Sequence, residues 1–254
     1  MKKLIVGNWK LNPTNLAEAK KIQTKIRQKV TGLRNVKVVI CPPTAYLSAL
    51  SLGRSNSIFS LGAQEVFWKE AGPYTGQTSP LILKDLNVSF VIIGHSEQRD
   101  LGENDEQINL KLRAVLDYGL RPILCIGEKE RDDSGYYLAQ IKRQLEDGLE
   151  KVSKKMVKQL IIAYEPVWAI GQDQRKAETP TSFLQHALFI RKTLSSLFGP
   201  AEAQKIPILY GGSVTIKNAE GFLIQGQADG LLVGRESLII PNFVALAKLA
   251  NQIK

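Results

Sequence analysis

Eight short apolar runs recur along the chain, at residues 4–7, 36–40, 58–61, 90–93, 122–126, 160–163, 206–209 and 230–233. They read Ile-Val, Val-Val-Ile, Val-Ile-Ile and Ile-Ile-Ala, with little alternation between apolar and polar positions. Strands that are apolar throughout are buried on both faces, the mark of a parallel sheet covered on each side. Each run is followed by a stretch with apolar residues at three- and four-residue steps. In 104–119 these are Ile108, Leu112, Val115 and Leu116, and the period stops at Gly119. Strands and helical segments alternating eight times, at roughly 30 residues per unit, fit a closed (β/α)8 barrel better than an open doubly wound sheet. The expected fold is therefore α/β, with eight parallel strands inside an outer ring of helices. No composition break or low-complexity segment interrupts residues 1–254, which read as a single β/α-barrel catalytic domain.

Composition narrows the partners. A chain of 254 residues, 44% hydrophobic and 23% charged, suits a soluble globular protein that needs no covalent staple. The formal net charge of +10 raises the question of nucleic acid or an anionic membrane. The cations are spread out, however. Lys20, Lys21, Lys25, Arg27 and Lys29 share one expected helix, Lys151, Lys154, Lys155 and Lys158 lie near another, and no basic stretch is interleaved with aromatics. Solvated outer faces are the better reading, so no nucleic-acid partner is expected. Cys41 and Cys125 each lie in an apolar run and read as buried thiols, with no spacing that suggests a metal site. Only Leu4, Ile5 and Val6 stand between the N-terminal lysines and Gly7, too few for a signal segment, and no run reaches membrane-spanning length. A cytoplasmic protein without membrane contact is expected.

In such barrels the chemistry sits at the carboxyl ends of the strands. The residues just past the apolar runs are Asn8 and Lys10, Gln64 and Glu65, His95 and Glu97, Glu128, Glu165, Gly211 to Ser213, and Gly234 with Arg235. His95 follows its strand directly, where a neutral imidazole could polarise a carbonyl or shuttle a proton. His186, inside a helical stretch, reads as a plain surface or packing residue. Glu165 ends the sixth run; a carboxylate screened from water by apolar neighbours is a better base. Pro166 stiffens the start of the next loop. Its apolar part, 167–171, leads into the polar 172–178 and reads as a lid that could exclude water, or as an ordinary rim loop. Glycines after the seventh and eighth strands offer backbone N–H groups to a phosphate, and Lys10 offers a cation to an oxyanion.

Gly7-Asn8-Trp9-Lys10, Gly94-His95-Ser96-Glu97, Tyr164-Glu165-Pro166-Val167-Trp168-Ala169-Ile170-Gly171 and Tyr210-Gly211-Gly212-Ser213-Val214 closely resemble triosephosphate isomerases. Tyr74-Thr75-Gly76 and the stretch from Asp229 to Leu238 extend the likeness over essentially the whole chain. The resemblance implies a TIM barrel that interconverts dihydroxyacetone phosphate and D-glyceraldehyde 3-phosphate, in glycolysis and gluconeogenesis, without metal or organic cofactor. It implies Glu165 as the base, His95 as the electrophile, Lys10 and Asn8 stabilising developing charge, and Glu97 ordering the site. Gly171, Ser213, Gly234 and Arg235 would give backbone donors to the phosphate, and the loop around Thr75 would hold a homodimer together. Three positions depart from the family pattern. Residues 172–176 replace the usual Thr-Gly-Lys, Arg235 stands where a second glycine is usual, and Gln77 where an acidic residue is usual.

Two other readings compete. A phosphate-binding barrel with lost or altered catalysis would have no need of the quartet Asn8, Lys10, His95 and Glu165. An aldolase-type barrel would want a Schiff-base lysine in the middle of a strand; Lys10 lies past a strand end.

Overall fold

A computed structural model describes residues 2–51, 58–132, 134–169 and 178–253. The apolar runs form β1 (Lys3–Asn8), β2 (Val36–Cys41), β3 (Phe59–Ala63), β4 (Val88–Ile93), β5 (Arg121–Ile126), β6 (Ile161–Tyr164), β7 (Ile208–Tyr210) and β8 (Gly230–Val233). All neighbours pair in parallel and in sequence order, and β8 closes on β1 through Leu4 opposite Gly230 and Val6 opposite Leu232. The expected closed barrel of eight parallel strands ringed by helices is what the chain forms.

The weak alternation along the strands has a direct cause. Successive side chains point to opposite faces, but here both faces are apolar. Leu4, Val6, Val39, Cys41, Phe90, Ile92, Ile123, Cys125, Ile161, Ala163, Leu209 and Leu232 fill the barrel interior. Their neighbours Ile5, Val38, Ile40, Val91, Ile93, Leu124, Ile162, Leu231 and Val233 belong to the larger core under the helices. Both cysteines are free and buried. At β3 the interior positions are Ser60 and Gly62; a methyl on Gly62 would stand 2.5 Å from Cys41 Sγ, so the bulky neighbour is accommodated by glycine.

The helices follow ordinary rules. Leu16–Val30 is capped by Asn15, whose side chain accepts the Glu18 N–H, and buries Ala19, Ile22, Ile26 and Val30. Lys20, Lys21, Lys25, Arg27 and Lys29 are exposed on its other side, the solvated face that their spacing implies. Asp105–Asp117 opens with a capping box between Asn104 and Gln107 and ends just before Gly119, which has φ of 75°. No helix among the described residues is long and apolar enough to cross a membrane. The long connection after β3 is pinned at its base by Phe67, whose N–H donates to Thr78 O (2.8 Å), and by the rings of Phe67, Trp68 and Tyr74. Thr75 and Gln77 are exposed on its outer part.

Candidate active site

Strand parity decides which side chains reach the mouth of the barrel. Asn8 and Lys10 continue the inward series Leu4, Val6, and Glu165 continues Ile161, Ala163. Glu128 has the parity of Leu124 and Ile126 and turns outward instead. Asn8, Lys10, His95, Glu97, Glu165, Gly211 to Ser213, Gly234 and Arg235 thus line one cavity of about 510 Å³ at the carboxyl ends of the strands. Gln64, Glu65 and Glu128, read from the sequence as strand-end residues, are not part of this lining. Gly171 and residues 172–177 lie outside the described residues.

His95 caps the short helix Ser96–Asp100: its Nδ1 accepts the Glu97 N–H (3.2 Å). A ring nitrogen that accepts this bond carries no proton, so the neutral ring has its N–H at Nε2. Nε2 lies 3.4 Å from Glu165 Oε1. The other Glu165 oxygen, Oε2, accepts the Ser96 N–H (3.2 Å). Glu165 is buried, yet Oε1 has no hydrogen-bond partner. Two glycines make this placement possible. A methyl on Gly127 would stand 1.8 Å from the Glu165 carbonyl oxygen, and one on Gly211 would stand 2.9 Å from Glu165 Cγ. The Cys125 thiol, beneath Glu165, is pushed well up by burial and then by that carboxylate, so it stays protonated and apolar.

Lys10 is held from three sides. Its backbone is left-handed (φ 53°), a costly conformation for a residue with a side chain. The Lys10 N–H donates to Asn8 Oδ1 (3.0 Å). Gln64 Nε2 donates to the carbonyl oxygens of Lys10 (2.9 Å) and Cys41 (2.8 Å). Lys10 Nζ meets Glu97 Oε1 at 2.6 Å. Gln64 stands in the expected group of rim residues, but its task, fixing the strained Lys10 backbone, has no signature in sequence. Glu65 leaves the site: it pairs with Lys111 (2.8 Å), which also binds Glu103.

A second polar cluster stands behind Glu165. Arg131 donates to Glu128 Oε1 (2.8 Å), to the Tyr164 hydroxyl (2.9 Å), to Ser182 Oγ (3.0 Å) and to Glu178. Its guanidinium lies 4.4 Å from the centre of the Trp168 ring, and Trp168 Nε1 donates to Glu128 Oε1 (2.8 Å). Tyr164, raised in pKa by burial and by Glu128, keeps its proton and donates to that carboxylate (2.9 Å). Glu178, the last member of the polar stretch 172–178, is buried and paired with Arg131. His186 is a buried packing residue stacked on Tyr164, with ring centroids 5.1 Å apart. Ser213 Oγ donates to Ala169 O (2.7 Å), joining the loops after β6 and β7.

Arg235 follows Gly234 and opens a 3-10 turn, Arg235–Leu238. It is not among the residues with positive φ, so the backbone there does not demand glycine.

Comparison with known proteins agrees with the geometry. The family model described as Triosephosphate isomerase matches residues 3–250. A triosephosphate isomerase from Dictyoglomus thermophilum is 41% identical over 250 residues, covering 97% of this chain and 99% of its own. One from Dehalococcoides mccartyi is 41% identical over 253 residues, 99% of this chain and 97% of its own. One from Fusobacterium nucleatum is 41% identical over 254 residues, 99% of this chain and 100% of its own. A family model and relatives that match nearly end to end, on a barrel whose mouth gathers a buried carboxylate, an imidazole and a lysine, show that the chain belongs to the triosephosphate isomerase family.

Proposed function

We propose that this chain interconverts dihydroxyacetone phosphate and D-glyceraldehyde 3-phosphate by proton transfer through an enediolate. The observation that carries this reading is Glu165 Oε1: buried, without a hydrogen-bond partner, and 3.4 Å from the His95 Nε2 that bears the ring proton. A carboxylate oxygen left free beside a donor is what moving a proton between adjacent carbons needs. Glu165 takes the proton from one carbon and returns it to the next. His95 donates its Nε2–H to the oxygen that becomes negative, and the Lys10 ammonium, exchanging Glu97 for substrate, stabilises the same charge. Asn8 fixes Lys10. Backbone N–H groups of Gly171, Ser213, Gly234 and Arg235 hold the phosphate. This division of acid and base work is the standard example that the family itself supplies. No step calls for a metal or an organic cofactor.

The same reading places the enzyme in the cytoplasm, in glycolysis and gluconeogenesis, as a homodimer joined through the loop around Thr75. Supporting the dimer, Leu11, Tyr74 and Leu101 are exposed apolar residues on the loops that follow β1, β3 and β4, all at the carboxyl ends of the strands.

The test is a coupled assay with glyceraldehyde 3-phosphate, repeated in heavy water. Turnover with solvent deuterium entering the product at carbon is expected of a base that exchanges its proton. Phosphate binding without turnover would sink the reading in favour of a non-catalytic barrel. Turnover without deuterium uptake would point to direct hydride transfer.

A further inference from the structure

Resting on the isomerase reading, we infer that the Arg235 side chain, and not only its backbone N–H, binds the substrate's phosphate and sets this chain's affinity for it. The charge balance of the cavity is the first argument. Among the described residues its lining carries two cations, Lys10 and Arg235, against three carboxylates, Glu97, Glu165 and Glu236. Among the described residues a phosphate dianion therefore meets a lining whose charged side chains sum to net negative, and without Arg235 Lys10 would be the one described cation facing three carboxylates. Such an imbalance weakens anion binding.

The second argument is availability. Lys10 Nζ is taken up by Glu97 at 2.6 Å. Glu236, next to Arg235 in sequence, accepts instead from Asn242 Nδ2 (2.5 Å). Arg235 is exposed at the mouth and has no hydrogen bond or ion pair among the described residues. Its neighbour Gly234 lies against Lys10, since a methyl on that glycine would stand 3.8 Å from Lys10 Cε. Arg235 thus leaves the backbone beside Lys10, with its charge unpaired among the described residues. A guanidinium can present two parallel N–H donors to phosphate oxygens, which an ammonium cannot. Arg235 acts on the non-reacting end of the substrate, so its contribution is to binding that is equal in ground and transition states, and it appears in KM.

The experiment compares the native protein with R235A and R235K. Steady-state assays give kcat and KM for glyceraldehyde 3-phosphate, and calorimetry gives the Kd of inorganic phosphate. Loss of one charge-assisted contact raises both KM and the phosphate Kd about tenfold in R235A, while the change in kcat is much smaller. R235K recovers part of the affinity and serves as the reading if R235A folds poorly. The kcat/KM of the native enzyme falls more steeply with ionic strength than that of R235A. Unchanged KM and phosphate Kd in R235A would overturn the inference, as would a loss confined to kcat. If the native protein turns nothing over but its phosphate affinity still depends on Arg235, the isomerase reading fails and the phosphate assignment stands.

Discussion

Glu165 is held by one backbone N–H at one oxygen, while the other oxygen stays open toward His95. A base set this way is sensitive to length. In Glu165→Asp the carboxylate retreats by one methylene, about 1 Å, and displacement on that scale costs about 100-fold in rate. The fold should be unaffected, so kcat drops while the thermal midpoint stays put; a near-native kcat would remove Glu165 from the role of base. Lys10→Met tests the other charge. If Lys10 stabilises the oxyanion, kcat falls about 100- to 1,000-fold. A raised KM at native kcat would instead make Lys10 a binder of substrate in its ground state.

At the scale of elements, Arg131 joins pieces far apart in sequence: Glu128 after β5, Tyr164 at the end of β6, Trp168 in the following turn and Glu178 before the helix Pro180–Phe198. Glu128 and Glu178 are almost fully buried, so removing the cation strands two carboxylates. Arg131→Met should destabilise the protein by about 3 kcal/mol, read as a lowered denaturant midpoint at unchanged slope. A shift under about 0.5 kcal/mol, the size of an ordinary surface change, would show that the cluster is solvated and contributes little. This cluster also marks the boundary of what the sequence reveals. All eight strands are legible because continuous β-branched runs have no other stable home than a sheet covered on both faces. Their ends are set one or two residues off where polar or aromatic residues finish the strand, as at Asn8 and Tyr164. Site residues at strand ends are legible from position and chemistry. The partnership of Arg131 with Glu178 is not, because 47 residues separate them and neither position alone carries a pattern. The same holds for Gln64, whose amide acts on backbone carbonyls that no side-chain motif records.

Over the whole molecule, the two mouths of the barrel differ. Opposite the candidate site, Lys37 and Arg121 have the inward parity of Val39 and Ile123. Burial, then Arg121 and Lys2, bring Lys37 down from 10.5 to about 8. A lowered lysine pKa means that the unfolded chain binds the proton more tightly. The penalty is therefore full below about pH 8 and fades as pH rises toward 10.5. Lys37→Met should be more stable than the native protein at pH 7, with the two curves converging near pH 10.5; a gap that does not narrow would contradict this. On the assembly, sedimentation at micromolar concentration should show a dimer that Thr75→Arg weakens, and a native protein that stays monomeric would exclude it. The closure of β8 on β1 also brings the two ends of the chain together. The Lys3 N–H donates to Asn35 O (3.0 Å), and Asn35 Nδ2 donates to Asn251 O (3.2 Å), so both ends are moored to one residue. A ring whose ends meet has no privileged starting point in space, and the order of synthesis is separable from the finished arrangement. A circular permutant joined by a short linker from 253 to 2, and reopened between Glu150 and Lys151 in the exposed turn before β6, should rebuild the same cavity and keep most of the native kcat/KM.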